Sequence, residues 1–79
     1  MITVTNASHY SINKASEMAY EIEYSDGTKV RAVESVGNTI RREYKDGTEW
    51  KMAGKSYVVD HSKNRQAEKI KATVLAFNA

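Results

Sequence analysis

The sequence predicts an α+β fold, in which a twisted antiparallel meander of about five strands over residues 18–60 is covered on its aromatic face by a helix over residues 62–77. Residues 23–30 (EYSDGTKV) return as residues 43–50 (EYKDGTEW), and each copy places Asp-Gly between strand-like runs, which is a strong β-hairpin signal. After residue 60 the apolar residues recur at helical spacing. A sheet with one solvated face needs a cover, and this segment is long enough to supply one.

The length of each hairpin loop decides which side chains share a face of the sheet. In the first copy, a three-residue loop over residues 25–27 sets Ile22 opposite Val30. A two-residue loop would set Ile22 opposite Arg31, which mixes apolar with charged residues. We therefore predict the three-residue loop, which needs a positive φ at Gly27, as in a type I turn closed by a glycine bulge.

The same test predicts the other connections of the meander. In the second copy, a three-residue loop over residues 45–47 sets Arg42 opposite Trp50. A loop over residues 37–39 and a two-residue turn over residues 54–55 complete the sheet. The apolar face then carries Met18, Tyr20, Ile22, Tyr24, Val30, Ala32, Val36, Ile40, Tyr44, Trp50, Met52, Tyr57 and Val59, with Glu34 facing Arg42. The other face carries Glu21, Glu23, Lys29, Arg31, Arg41, Glu43, Lys45, Glu49 and Lys51.

The segments on either side of the meander are predicted from shorter patterns. Residues 2–5 are alternating and β-branched, which indicates a short strand. Within residues 6–17, Tyr10 and Ile12 alternate as in a strand, but the segment would also form a helical turn or two, and we predict a short helix. The C-terminal helix is predicted from one apolar stripe, with Ser62 as its cap; its members are Ala67, Ile70, Val74, Leu75 and Phe77.

Length and composition predict a single domain over residues 1–79 that buries roughly 60–65% of its surface on folding. The chain has no cysteine, so disulfides and thiolate metal sites are excluded, and a reducing compartment suits it. No stretch approaches membrane-spanning length, and the start lacks a charged leader with an apolar run. We expect a cytoplasmic protein that does not contact a membrane.

The residues that carry chemistry do not form a recognisable catalytic pattern. Asp60, His61 and Ser62 are the residue types of a hydrolytic triad, but three consecutive side chains cannot converge on one another. His9 and His61 are the two histidines, and their spacing does not match a metal site. The four glycines all fall in predicted turns, so no phosphate-binding loop is indicated. We therefore expect no enzyme activity, cofactor or metal.

A binding function is the expectation that remains. The predicted last strand, residues 56–60, is short and apolar and would leave an open edge that invites pairing with another chain, unless the N-terminal strand covers it. Tyr57 on that strand is a candidate anchor. We expect a protein that occupies a surface of a partner protein, as an adaptor or inhibitor, and that forms a homodimer. Small accessory proteins of phages and mobile elements have a similar composition.

The alternative is a module that binds RNA or DNA through a basic stripe. Its candidate residues are Arg31, Arg41, Lys45 and Lys51 on the sheet, with Arg65 and Lys69 on the helix. The net charge is only +2 and glutamates interrupt the stripe. The aromatic residues are assigned to the core face, whereas sheets that read single strands need exposed aromatic rings. A partner protein is therefore the preferred expectation.

Overall fold

The structure, a computed structural model, describes residues 1–14, 16–35, 39–58 and 64–79. These residues form an antiparallel sheet of five strands, arranged in chain order, with a helix packed against one face. The elements are β1 (Val4–Ile12), β2 (Glu17–Tyr24), β3 (Lys29–Ser35), β4 (Thr39–Asp46), β5 (Glu49–Val58) and α1 (Arg65–Phe77). The predicted fold class, an antiparallel meander covered by a C-terminal helix, is confirmed.

The N-terminal segment is one strand of nine residues, so the short helix predicted within residues 6–17 is wrong. β1 pairs with β2, and Ala7 lies opposite Ile22. As an edge strand β1 fully buries only Ala7 and exposes most of its polar residues, so apolar alternation is confined to the two ends of the strand. β1 and β5 lie at opposite ends of the sheet, so the N-terminal strand does not cover the β5 edge.

The first hairpin has the predicted three-residue loop. Tyr24 N donates to Thr28 O at 2.9 Å, and Gly27 N donates to Tyr24 O at 2.9 Å, which closes a turn over residues 24–27. Gly27 has a φ of 89°, the left-handed conformation that the glycine bulge requires. Asp26 Oδ1 accepts from both the backbone N and the hydroxyl of Thr28. Ile22 therefore pairs with Val30, as predicted.

The second hairpin has a different loop from the first, so its predicted register is wrong. Asp46 pairs with Glu49 and Lys45 with Trp50, which leaves Gly47 and Thr48 as a two-residue loop. Gly47 has a φ of 65° at the first central position, as a type II′ turn requires. Since side chains alternate along a strand, the odd shift moves Trp50 to the face opposite the helix. Met52 moves with it, whereas Glu49 and Lys51 move to the helix face.

Two other predicted connections also differ. Glu34 pairs with Ile40 instead of Arg42, a shift of two residues that keeps every side chain on its predicted face. Residues 36–38, including Val36 of the predicted contact, lie outside the described residues. β5 continues through the predicted turn at residues 54–55, and a register irregularity between Ile40 and Arg42 accommodates the additional residues of β5. Val59, the predicted neighbour of Trp50, is outside the described residues.

The main core lies between α1 and the sheet, and its buried members are Ala7, Ile22, Ala32, Ile40, Ala67, Ile70 and Val74. The helix is capped by Asn64, whose side chain accepts from Ala67 N at 3.3 Å, while the predicted cap Ser62 is outside the described residues. At its other end Asn78 Nδ2 donates to Ala7 O at 3.0 Å. The Asn64 cap is local to the helix, whereas the Asn78 contact joins the C-terminal end of the helix to β1.

Of the predicted apolar stripe, the early positions are buried but Leu75 and Phe77 are about half exposed, at 48% and 50%. The helix contacts β1, β2, β3 and β4. On one flank Lys71 Nζ donates to both carboxylate oxygens of Glu34, at 2.9 and 3.1 Å, and lies 5.5 Å from the centre of the Tyr20 ring. The carboxylate and the ring thus place a charged residue at the boundary of the core without leaving its charge unpaired.

Candidate functional site

The candidate functional site is the open face, which we define as the face of the sheet turned away from α1. Ala19 and Val33 pair with each other on this face, and both have an exposure of 0%. They are therefore covered, although the helix lies on the other side. The cover is a layer of larger polar and aromatic side chains contributed by all five strands; these are Tyr10, Glu17, Glu21, Arg31, Arg41, Glu43, Lys45 and Trp50.

Glu43 is at the centre of this layer. It is 8% exposed and accepts at both carboxylate oxygens, from Arg31 Nε at 2.6 Å and from Arg41 Nε at 3.0 Å. A carboxylate removed from water to this degree is costly unless it is paired and hydrogen-bonded. The two arginines supply that pairing from the neighbouring strand β3 and from β4 itself, so they are fixed in position by the same contact.

Arg41 extends the network to the β1–β2 turn. Its Nη1 donates to Glu17 Oε2 at 2.5 Å, and Asn13 Nδ2 also donates to the Glu17 carboxylate. The hydrogen bond from Arg41 is the main reason that the pKa of Glu17 lies below its ordinary value, and the same contact raises the pKa of Arg41. Asn13 occupies the left-handed region with a φ of 50°, a conformation that asparagine tolerates.

Tyr10 extends the network to the edge strand β1. Its hydroxyl donates to Glu21 Oε1 at 2.6 Å and accepts from Arg31 Nη1 at 3.1 Å. Burial and the hydrogen bond to Glu21 raise the pKa of Tyr10, so the phenol stays protonated. Arg31 therefore has fixed partners on both sides, Tyr10 towards β1 and Glu43 towards β5.

Trp50 completes the layer on β5. The Arg31 guanidinium carbon lies 4.3 Å from the centre of the Trp50 ring, and Lys45 Nζ lies 5.1 Å from it. Both distances are within the range at which a cation is attracted to the face of an indole. Met52, on the same face, is 53% exposed. The result is an aromatic and apolar area next to a rigid array of arginines.

The open face carries balanced charge. In the described parts of β2, β3 and β4, it has four basic residues, Lys29, Arg31, Arg41 and Lys45, and four acidic residues, Glu17, Glu21, Glu23 and Glu43. Arg31 and Arg41, which were predicted to form a basic stripe, have their charge neutralised by hydrogen-bonded glutamates. A surface of this kind does not present the excess positive charge that a polyanion would select.

The predicted binding residues do not form one site. Arg31, Arg41 and Lys45 are together on the open face, whereas Lys51 is on the helix face and pairs with Asp46 at 2.7 Å. Arg65 and Lys69 are exposed on α1. Tyr57 pairs with Ile40 through the backbone register, and its side chain lies outside the described part of the chain.

Two central members of the layer, Tyr10 and Trp50, were not predicted as binding residues. The alternation of Tyr10 with Ile12 was a signal for the strand that places Tyr10, but the helical interpretation was preferred. Trp50 is predicted on the core face because a three-residue loop over residues 45–47 sets it opposite Arg42. Lys29 and Arg31, which are two residues apart on β3, would have indicated a cationic surface on which an indole could pack.

In the described ranges, no helix is long and apolar enough to cross a membrane. Those ranges also contain no group of three or more histidine, cysteine, aspartate or glutamate residues arranged to hold a metal ion. No protein-family model matches the chain, and neither a curated protein nor a solved structure shows significant similarity to it.

Proposed function

We propose that the chain is a non-enzymatic binding module that recognises a partner protein through the open face, with Trp50, Arg31 and Tyr10 at the centre of the contact. The observation that carries the proposal is the stacking of Arg31 on Trp50 of β5, beside a hydrogen-bonded layer that crosses β1 to β4. Tryptophan, tyrosine and arginine are the residue types that most often dominate the energy of protein interfaces.

The rigidity of the layer supports this proposal. Binding immobilises side chains at a cost of roughly 0.5–1.5 kcal/mol for each flexible one. Arg31 is held by Glu43 and Tyr10, and Arg41 is held by Glu43 and Glu17, before any partner arrives. Their aliphatic and planar surfaces can therefore contact a partner with little further loss of entropy. Met52 and the Trp50 ring add apolar area beside them.

Binding of RNA or DNA is the alternative proposal. It is supported by the exposed helix cations Arg65 and Lys69 and by an aromatic ring, Trp50, beside Lys45. However, the equal number of acidic and basic side chains on the open face opposes the approach of phosphates. Arg31 and Arg41 already pair with carboxylates, so their positive charge is largely compensated and attracts a phosphate less strongly.

A second copy of the chain is one partner protein that this proposal includes. β1 and β5 are the two edges of the sheet, and an edge strand offers backbone groups that pair with another strand. A symmetric dimer through one of these edges would leave the open face accessible for an adaptor or inhibitor role. We place this activity in the cytoplasm, in keeping with a chain that has no cysteine.

The test compares a substitution on the open face with a substitution on the exposed surface of the helix. The wild-type chain, Trp50→Ala and Leu75→Ala are immobilised and exposed to an extract of the cells that express the protein. Leu75 is a matched control because it is a half-exposed apolar residue on the helix. A protein captured by the wild type and by Leu75→Ala, but not by Trp50→Ala, supports the proposal. Equal capture by all three contradicts it.

A parallel titration with labelled single-stranded and double-stranded oligonucleotides at two salt concentrations tests the alternative. Tight binding that weakens steeply with salt would favour nucleic acid and contradict our proposal. If no oligonucleotide binds below high micromolar concentration, the nucleic-acid alternative is rejected.

A further inference from the structure

A cleft of about 330 Å³ lies between α1 and the face of the sheet that the helix covers. Its apolar lining comes from Ile22 and Val30 on the sheet and from Ile70 on the helix. Ile22 and Ile70 are also members of the buried core, at 1% and 7% exposure, so the lining is held in place by the fold. The volume is at the lower end of the range for small-molecule sites.

Two cations, Arg42 and Lys69, also line the cleft, and none of the described lining residues is acidic. Arg42 is partly buried on β4, between Ala32 on β3 and Ala53 on β5. Among the described residues its guanidinium has no carboxylate partner, which distinguishes it from Arg31 and Arg41 on the open face. A partly desolvated guanidinium beside an apolar surface is stabilised when an anion supplies the missing contact.

We propose that this cleft binds a small carboxylic acid with an apolar chain, in the size range of a medium-chain fatty acid. The apolar chain would lie against Ile22, Val30 and Ile70, and the carboxylate would accept two parallel hydrogen bonds from Arg42. Lys69, which is exposed at the rim, adds a second positive charge. The site is separate from the open face, because α1 covers this side of the sheet, and the inference does not depend on the proposed partner protein.

The charge arrangement favours an acid over other ligands of similar shape. A neutral alcohol with the same chain would bury the same apolar area but would not bring a carboxylate to Arg42. An alkylammonium would place a third positive charge near Arg42 and Lys69. The ratio of the affinities for the acid and the alcohol therefore reports the contribution of Arg42. Equal affinities would mean that the apolar lining alone is responsible for binding.

The experiment is a chemical-shift titration of the isotope-labelled chain with sodium octanoate, below its aggregation concentration, and with octanol as the neutral probe. We expect saturable shifts of the amide signals of Ile22, Val30 and Ile70 with octanoate, and binding of octanol that is weaker by roughly tenfold or more. Arg42→Gln should weaken octanoate binding by roughly tenfold or more. Arg65→Gln, an exposed arginine on the same helix, should leave it unchanged.

Lys69→Gln is a second variant, and because Lys69 is exposed, its replacement leaves the core intact. We expect it to weaken octanoate binding by a smaller factor than Arg42→Gln. Equal affinities for octanoate and octanol, absence of saturable shifts, or equal effects of Arg42→Gln and Arg65→Gln would each overturn the proposal. An acidic peptide that shifts the same amides, when octanoate does not, would also overturn it in favour of a partner protein's side chain.

Discussion

The guanidinium of Arg31 lies 4.3 Å from the centre of the Trp50 ring, although the two residues are on β3 and β5 with β4 between them. This contact exists because the β4–β5 hairpin has a two-residue loop, which turns Trp50 to the open face. A three-residue loop would have placed the indole on the helix face of the sheet. One residue in one loop thus decides whether the open face has an aromatic centre.

Removing the Trp50 ring should destabilise the fold as well as the interface. Trp50→Ala removes the contact with Arg31 and part of the cover over the open face, so we expect a loss of about 2 kcal/mol in the free energy of unfolding. Leu75→Ala should cost about 0.5 kcal/mol or less, because Leu75 is half exposed on the helix. Urea denaturation followed by circular dichroism measures both. Nuclear Overhauser contacts from the indole to Ile40, and none to Arg31, would show the loop assignment to be wrong.

Glu43 should be the most sensitive carboxylate of the open face. Glu43→Ala removes the carboxylate that accepts from both Arg31 and Arg41. We therefore expect the free energy of unfolding to fall by about 3 kcal/mol. Glu43→Gln keeps one acceptor oxygen and should cost less. Glu49→Ala is the matched control, since Glu49 is exposed on the neighbouring strand. Equal midpoints for Glu43→Ala and Glu49→Ala in chemical denaturation would contradict the central place given to Glu43.

Glu17 should make stability depend on pH in the acid range. Its pKa in the folded chain lies below the ordinary value of 4.5, chiefly because Arg41 donates to it. The unfolded state therefore binds the proton more readily, and the stabilisation is complete above pH 4.5 and is lost as the pH falls through the lower, folded-state pKa. The difference in unfolding free energy between the wild type and Glu17→Gln should thus be constant near neutral pH and decrease in acid. A difference that grows in acid would reverse the assigned sign.

Replacing either turn glycine with alanine should destabilise the fold, because both glycines have a positive φ. A Cβ at Gly27 or Gly47 would meet no atom within 4 Å, so sterically the side chain fits. Alanine is disfavoured because φ is positive, at 89° for Gly27 and 65° for Gly47. We expect each alanine variant to lose about 1–2 kcal/mol in the free energy of unfolding. Asp26→Asn should be mild, because an asparagine oxygen can still accept from Thr28. Unchanged denaturation midpoints for both alanine variants would contradict the positive-φ turns.

The two Asp-Gly-Thr hairpins differ in how far their registers could be predicted from the sequence. In the first, pairing Ile22 with Val30 is the better arrangement for the core, and the loop follows from it. In the second hairpin, the same preference for apolar pairing predicted a three-residue loop, which puts Trp50 on the core face. In the structure Trp50 lies on the other face, beside Arg31 two strands away, and a contact of that kind is not visible in the pairing of adjacent strands. Local repeats therefore predicted the existence of both hairpins but the register of only the first.

The helix α1 was predicted within a few residues, since its apolar stripe is a local signal. The strand β1 was predicted only at its start, over residues 2–5, because the rest of this edge strand fully buries only Ala7 and has little apolar periodicity. The candidate site depends on β1 through Tyr10 and on the second hairpin through Trp50. The length of β1 and the register of the second hairpin, which the sequence did not predict, are thus the two features that complete the open face.

The most direct test of the recognition surface is site-specific photocrosslinking. A benzoylphenylalanine replaces Met52, which is exposed next to Trp50, and in a control chain it replaces Leu75 on the helix. Both chains are irradiated in an extract of the cells that express the protein. We predict a discrete protein adduct from position 52 that is absent from position 75 and is lost when Trp50→Ala is added. Adducts with nucleic acid, or the same protein adducts from both positions, would contradict the account of the open face as a protein-binding surface.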